Sequence, residues 1–211
     1  MNIFSDRRPM FGRTNKIVES TCAWLVNHGM RPNQMSLLSI IFGGVTALAF
    51  LFTLLAQSPY LMIVAVFGIL GRLTCNLLDG IMAVEGGFKT ASGAFYNDFP
   101  DRISDSLILV ACGYAAHVGW LGWACALVAF MTAYIRIFGA ASGLPQDYSG
   151  PMAKQHRMFT VIAGCFLASI EIIFWGTTFS LVTALTIIFI GGILTCLLRA
   201  GRLLGQLEKR G

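Results

Sequence analysis

NLLDGIMAVEGGFKTASGAFYNDFPDRISD, residues 76–105, is the stretch around which this chain is organised. It holds half of the ten acidic residues in the chain, namely Asp79, Glu85, Asp98, Asp101 and Asp105. Apolar runs long enough to cross a bilayer flank it on both sides. A charged side chain at the bilayer centre costs about 2.5–3.5 kcal/mol even on insertion scales, and acids inside membrane segments usually mark a functional site. We therefore expect a polar cavity that binds a cation, most simply a metal ion.

The composition is that of an integral membrane protein. Of the 211 residues 56% are hydrophobic and 12% are charged, and the mean hydropathy is +0.72. A soluble domain has about 25% charged residues, so the apolar excess must face lipid. The six cysteines show no CxxC spacing and lie mostly in apolar runs, which predicts packing residues rather than disulfides or zinc ligands. We expect no nucleic-acid partner.

The order of polar and apolar segments predicts an all-α protein with six transmembrane helices preceded by an interfacial amphipathic helix. Residues 1–35 form the predicted cytoplasmic arm and interfacial helix, and Ser36 is a candidate N-cap for the first span. Residues 36–200 form the transmembrane domain, and 201–211 a cytoplasmic tail. Each predicted span is near the roughly 20 residues that a bilayer needs. The spans are about 36–56, 61–83, 93–115, 118–140, 157–175 and 178–200.

The basic residues predict the orientation of the chain. The short turns near residues 57–60, 117 and 176–178 contain no Lys or Arg. The basic residues outside the spans lie in the N-terminal arm, in two longer loops and in the tail. The positive-inside rule therefore predicts that both termini and both longer loops are cytoplasmic.

Helical spacing brings the acidic stretch together on two neighbouring helices. Asn76, Asp79 and Ala83 share one face of the second span, where Gly80 and Ala83 leave room for an extended ligand. On the third span Gly93, Asn97, Asp101 and Asp105 follow one another at steps of four. Asp98, Asp101 and Asp105 form an overlapping set at i, i+3 and i+7. Oxygen ligands on two facing helices suit a hard cation such as Mg²⁺ bound together with substrate phosphates.

The spaced motif resembles the signature of the CDP-alcohol phosphotransferases, whose usual form is D-x-x-D-G-x-x-A-R, then G-x-x-x-D-x-x-x-D. The matching positions are Asn76, Asp79, Gly80, Ala83, Val84, Gly93, Asn97 and Asp101. The resemblance extends to the interfacial helix, the six spans and Pro32-Asn33 before the first span. Asn replaces the first and third aspartates, as in a bacterial branch of the family, and Val84 replaces the arginine, for which Lys89 is a possible substitute.

The resemblance implies roles for individual residues. A divalent metal, Mg²⁺ or Mn²⁺, would be bound by oxygens of Asp79, Asn76, Asn97, Asp98 and Asp101. In strict register Asp101 is the general base; if the ligand set slides by one turn, Asp101 binds metal and Asp105 is the base. Residues implied to contact the CDP group or substrate are Asn76, Gly80, Ala83, Gly93, Arg72, Lys154 and Arg157.

A second basic region precedes the fifth span. The segment 149–157, SGPMAKQHR, places Lys154 and Arg157 after a Gly-Pro turn, and Arg136 ends the fourth span. One interpretation is a phosphate cradle at the cavity mouth; the other is ordinary positive-inside charge. Glu171, near the opposite end of the fifth span, is predicted to be a structural acid.

The family implies an enzyme of the bacterial inner membrane that transfers a phosphatidyl group from a CDP-linked lipid, CDP-diacylglycerol above all, to an alcohol or phospho-alcohol. CMP would be released, and a homodimer is expected. Two alternatives remain at this point. One is a relative that binds CDP-lipid without turning it over, because of the two Asn residues. The other is a six-span transporter that uses the acids as a cation or proton path.

Overall fold

The computed structural model describes residues 16–85 and 92–210, which form seven α-helices and no strand. The all-helical class is therefore confirmed. The helices are α1 (Lys16–Asn27), α2 (Pro32–Thr53), α3 (Pro59–Glu85), α4 (Gly93–Ala115), α5 (Gly119–Ala141), α6 (Lys154–Trp175) and α7 (Phe179–Glu208).

Five of these helices are long and apolar enough to cross a membrane: α2, α3, α5, α6 and α7. The helix α4 coincides with the predicted third span, 93–115, and its 23 residues would extend about 34 Å. It falls short in composition because it carries Asp98, Asp101, Arg102 and Asp105. The charged residues that make α4 a candidate for the site are thus the ones that make it less apolar than the other long helices.

The helix α4 packs mainly against α2 and α5, and less extensively against α3 and α7. The helix α3 packs against α2 and α6, and α7 packs against α5 and α6. The main core contains small and flexible side chains such as Ala65, Cys112 and Met158, all fully buried. Small residues let helix backbones approach closely where lipid gives no hydrophobic driving force for association.

A second cluster of buried residues lies beneath α1. Cys22 of α1 packs with Met35 of α2 and with Cys75, Leu78 and Ile81 of α3. Trp24, on the opposite face of α1, is 59% exposed. The helix therefore has one face on the bundle and an aromatic side chain pointing outward.

Two local predictions differ from the structure. The helix α2 begins at Pro32, four residues before the predicted N-cap Ser36, because Gln34 accepts a hydrogen bond from the Arg31 amide and Pro suits a first helical turn. Ser36 instead lies inside the helix, and its hydroxyl points into the bundle. The helix α7 continues to Glu208, through most of the predicted tail.

Candidate functional site

The site begins on α3, at a carboxylate whose hydrogen bonding is incomplete. Asp79 is 3% exposed and its Oδ2 accepts a hydrogen bond from Ser36 Oγ at 2.6 Å. Its Oδ1 is buried without a hydrogen-bond partner among the described residues, and so is Nδ2 of Asn76, one turn earlier. A Cβ added at Gly80 would meet nothing within 4 Å, so space is open beside Asp79. Such orphaned polar atoms are costly when buried, which indicates that they face a ligand.

Across from Asp79, α4 contributes Asp101. The two carboxylates are close enough to repel each other electrostatically. Arg72 of α3 donates from Nη2 to Asp101 Oδ1 at 3.2 Å, and the Lys154 ammonium forms an ion pair with Oδ2. Arg102 lies at the edge, with Nη2 4.0 Å from Oδ2. Asp101 therefore joins α3, α4 and α6 at one buried point.

Asp105, one turn further along α4, is held by two arginines. Arg72 Nη2 lies 2.5 Å from its Oδ1, and Arg157 Nη2 donates to its Oδ2 at 2.8 Å. The guanidinium of Arg72 is fully buried, yet its Nε and Nη1 have no hydrogen-bond partner within residues 16–85 and 92–210, and the same holds for Arg157 Nε. These unused donors lie beside the carboxylates, where a phosphate would be a suitable acceptor.

We call these six residues the ion-pair cluster: Asp79, Asp101, Asp105, Arg72, Lys154 and Arg157. Their formal charges cancel. Burying a charge without a partner is prohibitively costly, whereas a closely paired set is tolerated. The cluster is thus electrically balanced while several of its polar atoms still lack partners.

The other predicted metal ligands lie further from this centre. Asp98, with its side chain 34% exposed, accepts a hydrogen bond from Arg136 Nη2 at 2.5 Å. Asn97, the position of the third aspartate in the motif, is exposed. The predicted ligands are therefore split, with Asn76, Asp79 and Asp101 buried together and the remaining two turned outward.

The glycine and alanine positions of the motif lie as the spacing predicts. Ala83 is half-buried near the end of α3, and Gly93 is the first residue of α4. Lys89, proposed as a substitute for the motif arginine, lies outside the described residues, and so does the side chain of Val84.

A small cleft between α5, α7 and the 142–153 connection is not predicted by the sequence. Its lining includes Arg136, Asp147, Arg199 and Arg202. Arg199 of α7 is 6% exposed and donates to the carbonyls of Ser149 at 2.9 Å and Thr132 at 2.7 Å. The i, i+3 spacing of Arg199 and Arg202 could have indicated one basic face of α7, but Arg199 falls inside the predicted sixth span and Arg202 in the predicted cytoplasmic tail.

The 142–153 connection supplies the acidic wall of this cleft. Asp147 Oδ2 lies 2.5 Å from Arg202 Nη1, and Ser149 donates its amide to Asp147 Oδ1 at 2.8 Å. Burial alone would raise the pKa of Asp147, but these hydrogen bonds and the Arg202 charge hold it below its usual value. Arg136 stacks on Tyr148, 5.0 Å from the ring centre, and donates to Gln146. The connection between α5 and α6 is therefore attached to the basic residues beneath it.

Charged residues do not continue to the opposite end of the described bundle. Along α3 and α4, buried charges stop at Arg72 and Asp105, near the middle of each helix. The acid nearest the other end, Glu171, accepts the amide of Ser180 with both oxygens at 3.1 and 3.0 Å, confirming its structural role at the start of α7. In the described residues the pattern is that of a one-sided site, which disfavours a transport path.

The donor set fits a divalent cation in part. Asp79 offers a buried carboxylate oxygen with no partner, the ligand type that Mg²⁺ and Mn²⁺ prefer. Within the described part of the chain, no three His, Cys, Asp or Glu side chains converge on one point as a ready metal site. Binding a cation between Asp79 and Asp101 therefore requires Asp101 to exchange a partner.

The fold and site define an all-helical bundle with a buried carboxylate–cation centre near one end. No protein-family model matches the chain. It is 25% identical over 154 residues to the inner membrane protein YnbA of Escherichia coli, covering 71% of this chain and 72% of that protein. It is 26% identical over 133 residues to phosphatidylinositol phosphate synthase of Mycobacterium marinum, a match that spans 57% of this chain and about half, 53%, of the relative.

Solved structures match over most of the chain. The phosphatidylinositol phosphate synthase of Mycobacterium tuberculosis with CDP-DAG bound superposes with a TM-score of 0.70 at 21% identity, covering 89% of this chain and 94% of that one. The same enzyme in complex with manganese and citrate gives a TM-score of 0.70 at 20% identity, covering 89% and 88%. The chain therefore shares the fold of that synthase.

Proposed function

We propose that the protein is a membrane enzyme that transfers a phosphatidyl group from a CDP-linked lipid, CDP-diacylglycerol, to an alcohol and releases CMP. The observation that carries the proposal is the ion-pair cluster, where Asp79 Oδ1 and two nitrogens of Arg72 are buried without partners. An anionic pyrophosphate with an accompanying cation would satisfy both kinds of atom. The sequence match to one phosphatidylinositol phosphate synthase and the shared fold with another, solved with CDP-DAG bound, support the same reaction class.

The proposed setting is the bacterial inner membrane. We propose six spans, with α4 as the third, because α4 has the length of its neighbours and packs along α2 and α5. The helix α1 would lie in the cytoplasmic interface with Trp24 directed outward. Both termini would be cytoplasmic, which places the cluster at the inner leaflet, where a CDP-lipid presents its nucleotide.

A divalent metal would be bound by Asp79 and Asp101, with Asn76 adding an amide oxygen. A manganese ion in the structure of the related synthase is consistent with this choice. When bound, such an ion supplies charge neutralisation and orientation of the pyrophosphate. Asp98, paired with Arg136, and the exposed Asn97 are secondary candidates.

The residues of the chain divide the remaining work. Arg72 and Arg157 have unused donors that would hold the phosphate oxygens. Asp101 would accept the proton of the acceptor hydroxyl while the acceptor oxygen forms a bond to the lipid-side phosphorus. The bond from that phosphorus to the bridging oxygen then breaks, and CMP leaves with the bonding electrons. Asp105 is the weaker candidate for the base, because arginines engage both of its oxygens, whereas Oδ2 of Asp101 pairs with the more mobile ammonium of Lys154.

The cleft beside Arg199 and Arg202 is the proposed acceptor site. It opens next to Arg136, which contacts Asp98 of α4. Its basic lining suits an alcohol or a phospho-alcohol. A homodimer remains a prediction from the family resemblance.

The test is release of CMP by the purified protein given Mg²⁺ or Mn²⁺, CDP-diacylglycerol and a panel of alcohols that includes glycerol 3-phosphate, serine and inositol phosphate. CMP release with at least one acceptor supports the proposal. Metal-dependent binding of CDP-diacylglycerol without CMP release would instead identify a lipid-binding relative. If the protein neither binds CDP-diacylglycerol nor releases CMP, both the transferase and the lipid-binding relative are refuted.

A further inference from the structure

Lys154 occupies the position in the cluster that a divalent cation would need. It is the first residue of α6, is 6% exposed, and its ammonium forms an ion pair with Asp101 Oδ2. It also attracts Asp79 electrostatically. The ammonium is therefore in contact with Asp101 and close enough to Asp79 to act on it electrostatically.

Charge balance means that the Lys154 ammonium and a divalent ion exclude each other from the position beside Asp101. The six formal charges of the ion-pair cluster cancel while Lys154 is in place. A divalent ion added to that arrangement would bring two further positive charges into a buried, low-dielectric site, next to an ammonium. A metal ion on Asp101 Oδ2 would lie next to the ammonium that contacts the same oxygen, and the two cations would repel each other.

Among the three cations of the cluster, Lys154 is the one built to move. Arg72 is fully buried and bridges Asp101 and Asp105, and Arg157 is 2% exposed and anchored on Asp105. Lys154 is a compact ammonium on a flexible four-carbon stem, which can turn away without moving the backbone of α6. It also lies at the start of α6, next to the 142–153 connection and thus near the mouth of the proposed site.

We propose that Lys154 is an internal cation that pairs with Asp101 until a divalent metal displaces it, and that the displaced ammonium then binds the phosphate of the substrate. The inference rests on the proposed function in placing the metal between Asp79 and Asp101. It assigns Lys154 two positions, one on the carboxylate and one on the substrate. Pairing with the ammonium also prevents Asp101 from acting as a base before metal and substrate are present.

The first test measures Mn²⁺ binding to the detergent-solubilised protein by electron paramagnetic resonance, without lipid substrate. Lys154→Met removes the competing cation, and we expect its Mn²⁺ affinity to rise about tenfold or more, the scale of close charge-pair couplings. Lys154→Arg keeps the competing charge and should bind Mn²⁺ no more tightly than the wild type. Arg157→Gln neutralises an equally buried cation three residues along the same helix that contacts Asp105 instead, and should change the affinity much less.

The second test uses the unaltered protein, so that it does not depend on a variant folding. An amine-acylating reagent followed by mass spectrometry reports the exposure of Lys154 relative to the exposed Lys209. We expect Lys154 to be protected without metal and to become labelled when Mn²⁺ saturates the site. Unchanged labelling, or equal Mn²⁺ affinity in Lys154→Met and the wild type, would overturn the proposal.

The outcomes separate this inference from the proposed function. If the wild type releases CMP but Lys154→Met gains no Mn²⁺ affinity, the proposed transferase function stands and the exchange of Lys154 for the metal is refuted. Suppose instead that the protein releases no CMP with any acceptor, while Lys154→Met binds Mn²⁺ more tightly and the labelling of Lys154 depends on metal. The exchange is then supported and the transferase function is refuted.

Discussion

Oδ1 of Asp79 is buried with neither a hydrogen bond nor an ion pair among the described residues, and the site is arranged around it. We expect Asp79→Asn to lower CMP release by more than about 100-fold, since even residues that only support a metal ligand are worth about 10- to 100-fold. The bond from Ser36 can be kept by the amide oxygen, so the fold should persist. The measurement is the steady-state rate at saturating CDP-diacylglycerol.

Glu171→Gln is the matched control for Asp79→Asn. It also neutralises a membrane-embedded acid, but at the opposite end of the bundle, where the side chain only accepts the Ser180 amide. Its rate should stay close to that of the wild type. Equal losses in the two variants would mean that Asp79 acts through the fold rather than through chemistry.

Arg72 is the residue on which the buried carboxylates of α4 most depend. Arg72→Met leaves Asp101 and Asp105 each short of one cation, and breaking a buried pair typically costs about 3–5 kcal/mol. We expect a loss of this size in the free energy of unfolding, measured by chemical denaturation in mixed micelles. Adding Asp105→Asn should recover part of the loss, because one uncompensated charge is removed.

The comparison variant for Arg72 is Arg202→Met. Its partner Asp147 lies at a similar distance of 2.5 Å, but the pair is 43% and 31% exposed. Exposed pairs contribute about 0–1 kcal/mol, so stability should barely change. A large loss in this variant and a small one in Arg72→Met would contradict the assignment of the cluster as the structural centre.

At the scale of helices, close approach of backbones determines where α4 lies. A Cβ at Gly122 of α5 would come within 2.7 Å of the Leu109 carbonyl and 2.9 Å of Gly113 Cα, both in α4. We expect Gly122→Ala to destabilise the protein by about 1–3 kcal/mol through overpacking. Thermal unfolding in detergent measures it. Gly44→Ala, where a Cβ meets nothing within 4 Å, should be neutral.

Some features of the fold and of the site could be predicted from the sequence. Hydropathy predicted the start of each of the five most apolar helices within about four residues, because a long apolar run in lipid must satisfy its backbone hydrogen bonds internally. The i, i+3 spacing predicted that Asn76 and Asp79 share one face of their helix, and both are buried on α3. These predictions rest on local periodicity, which the chain displays directly.

Contacts between helices that lie far apart in the sequence were harder to predict. Gly43 and Gly44 look alike in the sequence, yet only Gly43 meets another helix, at Ser104. The pairing of Lys154 with Asp101, and the position of Arg199 beneath Ser149, depend on how α6 and α7 rotate against α4 and α5. Rotation is decided by side-chain packing over the whole bundle, which no single segment encodes.

At the scale of the whole molecule, the proposed orientation predicts which connections face the periplasm. Cysteines introduced at Ser58 and Thr177 should react with a membrane-impermeant thiol reagent in cells whose outer membrane is permeabilised. Cysteines at Ser149 and Lys209 should react only after the inner membrane is lysed. The six native cysteines are buried or half-buried, which keeps the background low. The reverse pattern would place the ion-pair cluster at the outer leaflet and separate it from a cytoplasmic nucleotide.

Charge balance across the assembled bundle predicts that metal and nucleotide bind cooperatively. The ion-pair cluster is neutral by itself, so a divalent ion alone leaves it positive and a pyrophosphate alone leaves it negative, whereas the two together restore the balance. We expect CDP to tighten Mn²⁺ binding by about tenfold, within the usual range of coupling free energies of about 1–3 kcal/mol.

The coupling has a reciprocal form that makes it a strict test. Linkage requires Mn²⁺ to tighten CDP binding by the same factor that CDP tightens Mn²⁺ binding, and calorimetric titrations in both orders measure the two factors. Cytidine, which carries the base and ribose without the pyrophosphate, should bind with no effect on Mn²⁺. If CDP and Mn²⁺ bind independently, balance of charge does not govern the site, and the buried arginines must serve the fold alone.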